Sequence, residues 1–157
     1  MGITGTFEGP AGSPSYIFNN GSYGSILPNG FTGINSDSPY ISSGKLYLPT
    51  TKLHLFSSTS AINFSGYNYI KVYIYVEHYY GTGRLYLKFY NSFPHSQNGD
   101  VANLELVTSK SAWAWLNFDV SSINGAYYLG MQAYALRSNS LEYMNTTQIL
   151  QMYLSTN

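Results

Sequence analysis

The most regular pattern in the chain extends from residue 67 to residue 90, where apolar side chains alternate with tyrosines and charged groups. A period of two is typical of a β-strand that buries one of its faces. The stretch therefore predicts two strands, joined as a hairpin by a short turn at Gly81-Thr82-Gly83. The predicted inward side chains are Ile70, Val72, Ile74 and Val76 on the first strand and Leu85, Leu87 and Phe89 on the second.

The same alternation returns later in the chain. Residues 113–120, 126–136 and 148–154 each place apolar side chains on one side, with Leu150, Met152 and Leu154 inward in the last stretch. Shorter apolar runs lie between Gly, Asn, Ser and Pro residues in the first part of the chain, and residues 91–100 have the composition of a loop. No window has a helical period. About ten short strands, each burying one face, predict an all-β protein built as an antiparallel sandwich or barrel.

The chain divides into an N-terminal arm, residues 1–14, and one domain, residues 15–157. The arm has glycines at positions 2, 5, 9 and 12 and no apolar periodicity. A flexible Gly/Pro linker has this composition. The end of a trimeric stalk is the alternative, because a collagen-like triple helix needs glycine at every third position.

Composition narrows the choice of partners. Only 9% of residues are charged, against ~25% in a typical soluble domain, and the formal net charge is zero. No basic cluster is present to bind nucleic acid or an anionic membrane, and no apolar run reaches the ~20 residues of a membrane span. The 17 tyrosines suit strands for packing reasons alone. A surface rich in tyrosine, hydroxyls and amides also suits neutral polar partners such as sugars, or self-association.

Histidine and acidic residues are few, and their spacing matches no known catalytic or metal-binding motif. The histidines, His54, His78 and His95, do not fall at metal-ligand intervals. A glycosidase needs two carboxylates ~5 to 9.5 Å apart, and the spacing of the seven acidic residues pairs none of them. We therefore expect a protein that is not an enzyme. The expected role of Asp119 is to cap a turn by accepting from the backbone of Ser121 or Ser122.

The outward side of the predicted strands carries the strongest chemical signal. Sugars present C–H faces that stack on aromatic rings and hydroxyls that hydrogen-bond to Tyr, Asn and Gln side chains. The predicted outward aromatic residues are Tyr73, Tyr75, Tyr86, Tyr90, Trp113, Trp115, Tyr128 and Tyr134, of which Trp113, Trp115, Tyr73, Tyr75, Tyr86 and Tyr128 are the candidate glycan-binding residues. Two alternatives stay open. The residues are scattered over two outer faces of a sandwich, or they are buried against a sister subunit. Contact with a receptor is also expected from loops, and residues 91–100 are the next candidate after the strands.

Four segments resemble the jelly-roll, carbohydrate-binding-module-like domains of phage fibre, tail and decoration proteins. They are YIFNNG at 16–21, INFSGYNYIKVYIYV at 62–76, LNFDVSSINGAYYLGMQAY at 116–134 and TTQILQMYLSTN at 146–157. The likeness covers residues 15–157 in order and implies a jelly-roll-like sandwich whose first strand pairs near the last, with no transferable active site. Such domains often hold a structural Ca²⁺. Glu8, Asp37 or Asp119 would supply oxygens, although no motif specifies a metal ligand.

The pattern predicts one all-β domain, and the resemblance implies that it is jelly-roll-like and lies on the surface of a phage virion. The expected function is non-enzymatic adhesion to host or environmental glycans, by the tip of a fibre or by a decoration protein. The expected partners are sister subunits in a homotrimer, other virion proteins reached through the arm, and a glycan, with no cofactor, nucleic acid or membrane insertion. Two alternatives stay open: an architectural capsid or tail component without a ligand, and a carbohydrate-binding module of a secreted bacterial enzyme.

Overall fold

The computed structural model describes residues 14–34, 37–49, 54–77, 82–108, 111–137, 140–142 and 146–157. Every regular element in these ranges is a β-strand. The strands are β1 Ser15–Asn19, β2 Ser22–Tyr23, β3 Phe31–Gly33, β4 Tyr40–Ser42, β5 Lys45–Leu48, β6 Phe56–Ser58, β7 Ile62–Asn63, β8 Tyr69–Glu77, β9 Thr82–Tyr90, β10 Ala102–Thr108, β11 Trp113–Asp119, β12 Ala126–Arg137, β13 Ser140–Glu142 and β14 Thr146–Ser155. Apart from Pro14, the predicted arm lies outside the described residues. Within those residues, no helix has the length and apolar character needed to cross a membrane.

The strands form two sheets, which we name the front sheet and the back sheet. The order across the front sheet is β11, β8, β14, β1 and β2, with β5 pairing with β14 and β4 pairing with β5. The order across the back sheet is β10, β9, β12, β6 and β3, with β7 and β13 pairing with β12. All of these pairings are antiparallel. The predicted fold class, an antiparallel and jelly-roll-like β-sandwich, is confirmed.

The core lies between the two sheets. Along β8 the side chains alternate between buried and half-buried over the whole strand. The inward residues of β8 and β9 belong to one buried cluster, as predicted: Ile70, Val72, Ile74, Val76, Leu85, Leu87 and Phe89. Full burial of one such side chain stabilises the fold by about 1.5–3 kcal/mol. Because a slip of one residue would expose the whole aliphatic side, this burial fixes which side chains point outward.

The predicted hairpin between residues 67 and 90 is wrong. Both strands are present, but β8 lies in the front sheet between β11 and β14, whereas β9 lies in the back sheet between β10 and β12. The chain has therefore changed sheets between the end of one strand and the start of the next. Alternation predicts which side of a strand is buried and does not identify the neighbouring strand. Two strands that face each other across a core have the same pattern as two that pair.

The last strand departs from strict alternation at one point. The sequence predicts Leu150 inward, but Ile149 is fully buried and Leu150 is only half-buried. The register of β14 against β8 shifts between Ile149 and Gln151, which is a β-bulge with one additional residue on the bulged strand. Beyond the bulge, Met152 and Leu154 are buried as predicted. Gln151 and Tyr153 consequently lie on the outer face of the front sheet.

Candidate functional site

Strand β11 carries both tryptophans on the outer face of the front sheet, beside two tyrosines of β8. In the pairing of β11 with β8, Trp113 lies opposite Tyr75 and Trp115 lies opposite Tyr73. The ring centroid of Tyr73 is 4.8 Å from that of Trp115 and 5.3 Å from that of Trp113. Aromatic rings at these distances are in direct contact. The four residues therefore form one continuous surface, on the side of β11 opposite the buried Phe118.

This surface continues onto the next two strands of the sheet. Trp115 meets Tyr153 of β14 at a centroid distance of 5.9 Å, and Tyr153 meets Tyr16 of β1 at 5.4 Å, both in edge-to-face geometry. At the other end, Tyr75 lies 5.6 Å from Trp113. We name this surface the platform, and its six residues are Tyr16, Tyr73, Tyr75, Trp113, Trp115 and Tyr153. It crosses four neighbouring strands.

Sequence reasoning did not single out Tyr16 and Tyr153 as site residues. A signal for them was present in the expected pairing of the first strand with the last, since that pairing places Tyr16 opposite Tyr153. Alternation could not predict the side on which Tyr16 lies, because β1 has a register shift. The consecutive residues Ile17 and Phe18 are both fully buried there. Alternation fails at such an irregularity.

Amide side chains border the platform. Gln151 lies across from Tyr73, and its Nε2 donates to Oδ1 of Asn19 at 3.0 Å. Gln148 lies across from Tyr75. Amide groups both donate and accept hydrogen bonds. The surface thus combines aromatic faces with groups that hydrogen-bond to hydroxyls.

A second ring pair lies farther along the same sheet. Tyr47 of β5 lies opposite Gln148 and stacks on Tyr40 of β4, with ring centroids 5.3 Å apart and planes at 6°. The outer ring of this pair, Tyr40, is 56% exposed, and Trp115 on the platform is 46% exposed. Large aromatic surface on this face is therefore open to a partner.

The structure does not bring Tyr86 and Tyr128 to the platform. Both lie on the outer face of the back sheet, Tyr86 on β9 and Tyr128 on β12. Tyr86 stacks on Tyr134 with centroids 5.5 Å apart, and Tyr128 meets Phe93 at 5.8 Å. The candidate residues are therefore divided between opposite faces of the sandwich, four on the front and two on the back.

Two tyrosines on the outward side of the back sheet are buried. Tyr134 is only 7% exposed and Tyr90 is fully buried. The ring of Tyr90 lies across Gly130, where a Cβ would come within 2.8 Å of it, and the Tyr90 hydroxyl donates to the carbonyl oxygen of Ser96 at 3.1 Å. Burial, with a smaller contribution from the charge of Asp100, raises the pKa of Tyr90 to about 12.

Asp119 caps the turn that follows β11, as predicted. Its Oδ1 accepts hydrogen bonds from the Oγ of Ser121 at 2.6 Å and from the backbone N–H of Ser121 at 3.0 Å. These two bonds lower the pKa of Asp119, because they stabilise the charged form. The carboxylate of Asp119 therefore stabilises the turn.

The calcium site remains a prediction. Glu8 lies outside the described residues, and Asp37 and Asp119 are both exposed. In the ranges that the structure describes, no three histidine or acidic side chains lie together in a way that could hold a metal ion.

Glu105 and the two described histidines interact with their neighbours or lie away from the platform. Glu105 pairs with Arg84 at 3.4 Å and accepts a hydrogen bond from the hydroxyl of Tyr134. His54 packs near Phe56 in the approach to β6, with ring centroids 6.4 Å apart. His95 is exposed on the loop between β9 and β10, and His78 lies outside the described residues.

Eight chains of solved structures are similar to this chain, and two of them follow below. No family model matches the chain, and no curated protein matches it. A low affinity xylan binding module from the gut symbiont Roseburia intestinalis is 13% identical, with a TM-score of 0.48 over 80% of this chain and 88% of that one. The glycoside hydrolase domain of Endo-D from Streptococcus pneumoniae is 14% identical, with a TM-score of 0.48 over 82% of this chain and 22% of that one. Likenesses at this level do not assign a family or a ligand to this protein.

Proposed function

We propose that this domain is a non-enzymatic glycan-binding module that holds an extended, uncharged sugar chain on the platform. The observation that supports the proposal is the unbroken series of ring contacts from Tyr75 to Tyr16, with centroid distances of 4.8 to 5.9 Å. Rings bordered by amides suit sugars, because the C–H faces of a sugar stack on rings while its hydroxyls hydrogen-bond to amides.

The shape of the platform favours a chain of several sugars over a single sugar. Adjacent strands lie about 4.8 Å apart, so four strands carry the rings over roughly 14 Å across the sheet. An open face covers little of any one sugar, whereas a pocket surrounds a small ligand on most sides. We expect weak binding of monosaccharides and increasing affinity as the chain lengthens.

Among the described residues, the carboxylates on the platform face support binding without hydrolysis. Glu77 ends β8, and Asp119 lies opposite Tyr69 at the start of that strand. Tyr69 and Glu77 are the two ends of this nine-residue strand, and the eight steps between them correspond to about 26 Å at ~3.3 Å per residue. A glycosidase needs its two carboxylates within ~9.5 Å of each other. Glu77 also accepts a hydrogen bond from the hydroxyl of Tyr75 at 3.2 Å.

The place of the module in a larger assembly is a further part of the proposal. The resemblance of residues 15–157 to phage structural proteins supports a location on the virion surface, at the tip of a fibre or in a decoration protein. The spaced glycines of the arm support a homotrimer attached to other virion proteins. A carbohydrate-binding module of a secreted bacterial enzyme would use the same platform. The neighbouring genes, structural or enzymatic, separate these two origins.

The test compares two exposed aromatic residues on opposite faces. Trp115 and Phe93 are each 46% exposed, so alanine at either position leaves the core intact. An array of neutral glycans selects the ligand, and calorimetry measures its affinity. Since a stacking contact is worth ~1–3 kcal/mol, we expect Trp115→Ala and Trp113→Ala each to weaken binding by roughly tenfold or more. Phe93→Ala should bind as the wild type does.

Melting temperatures of the same variants complete the test. All three are expected to melt close to the wild type. Normal folding with unchanged affinity in both tryptophan variants would exclude the platform as the contact surface. A loss of several kcal/mol of stability in both would show that the tryptophans are structural. Absence of binding to every glycan on the array would favour an architectural component.

A further inference from the structure

A cleft of about 640 Å³ opens on the outer face of the back sheet, opposite the platform. Tyr86 and Tyr134 contribute stacked rings to it, with centroids 5.5 Å apart and planes at 20°. Amide side chains from the loop after β9, from β10 and from β12 complete the lining: Gln97, Asn98, Asn103 and Gln132. A volume of several hundred Å³ is typical of sites for small molecules.

Hydrogen bonds within the protein hold this lining in place. Nε2 of Gln132 donates to Oε1 of Gln97 at 2.5 Å. Oδ1 of Asn103 accepts from the N–H of Gly99 at 2.8 Å, and its Nδ2 donates to the Gly99 carbonyl. The loop is thus tied to both neighbouring strands before any ligand arrives. A site formed in advance loses less entropy when it binds.

Lys88 gives the cleft its charge. The side chain is only 5% exposed, its Nζ donates to the backbone carbonyl of Gln97, and the ammonium lies 5.1 Å from the centre of the Tyr86 ring. Burial lowers the pKa of Lys88. Among the described residues, no carboxylate forms an ion pair with this Nζ; Glu105, which accepts a hydrogen bond from the hydroxyl of Tyr134, pairs with Arg84. The cleft therefore presents a cation without an anionic partner from the described part of the protein.

We propose that the cleft is a second glycan site, and that its ligand is an acidic saccharide with a hexuronate unit. The carboxylate of the ligand pairs with Lys88, the sugar ring packs on Tyr86 and Tyr134, and the amides hydrogen-bond to its hydroxyls. A buried cation gains most from such a partner, because an ion pair is screened little away from water. The inference goes beyond the neutral platform ligand and rests on the proposed function only in taking a glycan as the ligand.

The experiment measures the binding of trigalacturonate and of its methyl ester by calorimetry. The two probes share their sugar rings and differ in charge. We expect the wild-type chain to bind the acid at least tenfold more tightly than the ester. Lys88→Gln keeps a donor for the Gln97 carbonyl but removes the charge, and it should bring the two affinities together. Lys71→Gln is the matched control, because Lys71 also lies near a tyrosine ring, at 5.8 Å from that of Tyr69, but on the platform face. It should retain the preference for the acid.

Three outcomes would overturn the proposal. The first is that the wild type binds acid and ester equally tightly, or binds neither. This comparison uses the wild type alone and does not depend on the folding of any variant. The second is equally tight binding of polyglutamate, which has carboxylates but no sugar rings. The third is loss of acid binding in Trp115→Ala with retention in Lys88→Gln, which would place the acid on the platform. Failure of the neutral ligand to bind would contradict the platform alone and leave the acid preference intact.

Discussion

At the scale of single residues, the buried phenol of Tyr90 has the clearest consequence. Its pKa is raised to about 12, chiefly by burial, while a tyrosine in an unfolded chain titrates near 10. Between these values the unfolded chain has released a proton that the folded chain still holds. The free energy of unfolding therefore falls as the pH rises from about 10 to about 12, and this contribution is fully retained below about pH 10.

The variant Tyr90→Phe tests this account. At neutral pH we expect it to lose about 1 kcal/mol of stability, because the carbonyl of Ser96 loses its partner. Above about pH 10 its stability should fall less steeply than that of the wild type, which urea unfolding at a series of pH values would measure. Tyr127→Phe, which also loses a phenol-to-carbonyl bond, that to Asn124 at 2.8 Å, controls for the neutral-pH loss. Identical slopes in wild type and Tyr90→Phe would contradict the raised pKa.

Tyr90 and Trp115 also show what the sequence predicts about one residue. Both were predicted to lie on the outward side of their strands, and both do, because neighbours that alternate with them fill the core. One is fully buried and the other is 46% exposed. What covers Tyr90 is Gly130 and the loop that holds Ser96. Contact with a glycine so distant in sequence is not encoded in the local pattern.

At the scale of elements, the bulge in β14 determines which side chains reach the core and which reach the platform. Without an additional residue between Ile149 and Gln151, the apolar side chains before and after that point would lie on opposite faces of the sheet. The bulge allows Ile149, Met152 and Leu154 to be buried together. Tyr153 is thereby left on the outer face, in contact with Trp115.

Alanine substitutions on the two sides of the bulge test its position. Ile149→Ala should cost about 2–5 kcal/mol, because it leaves a cavity in the core. Leu150→Ala should cost less than half as much, since Leu150 is only half-buried. Strict alternation predicts the reverse order. Denaturant unfolding of both variants distinguishes the two registers, and a larger loss for Leu150→Ala would contradict the bulge.

The partners of strands were less predictable than their faces. Alternation gave the inward sides of β8, β9 and β11 because each side is fixed by the residues next to it in sequence. It did not show that β8 and β9 lie in different sheets, because their pairing depends on β11, β14, β10 and β12. The division of the candidate site follows from this point. Tyr73 and Tyr75 lie in the front sheet, and Tyr86 lies in the back sheet.

At the scale of the whole molecule, the sandwich has two outer faces with different chemistry. The front face carries an open row of rings bordered by amides, and the back face carries a cleft with a buried ammonium. Four of the six candidate residues were brought together as one surface, and strand pairing added Tyr16 and Tyr153. The sequence alone could not separate the faces, because both consist of tyrosines on strands with the same period.

Assembly is a prediction at this scale. The chain has a mass of 17.5 kDa, and light scattering of the proposed homotrimer should give about three times that value. A shortened chain that starts at Pro14 should dissociate if the arm holds the trimer together. A monomer that persists at high concentration would contradict the trimer. Dissociation of a trimer by Trp115→Ala would instead show that a sister subunit covers the platform.

The central claim, that the platform is where a glycan binds, has a direct optical test. The chain contains two tryptophans, Trp113 and Trp115, and both belong to the platform. A sugar chain stacked on these rings displaces water from them, so titration with the glycan that calorimetry identifies should change the tryptophan fluorescence. The midpoint of that change should match the calorimetric dissociation constant. A glycan that binds by calorimetry and leaves the tryptophan fluorescence unchanged at saturation would contradict the account.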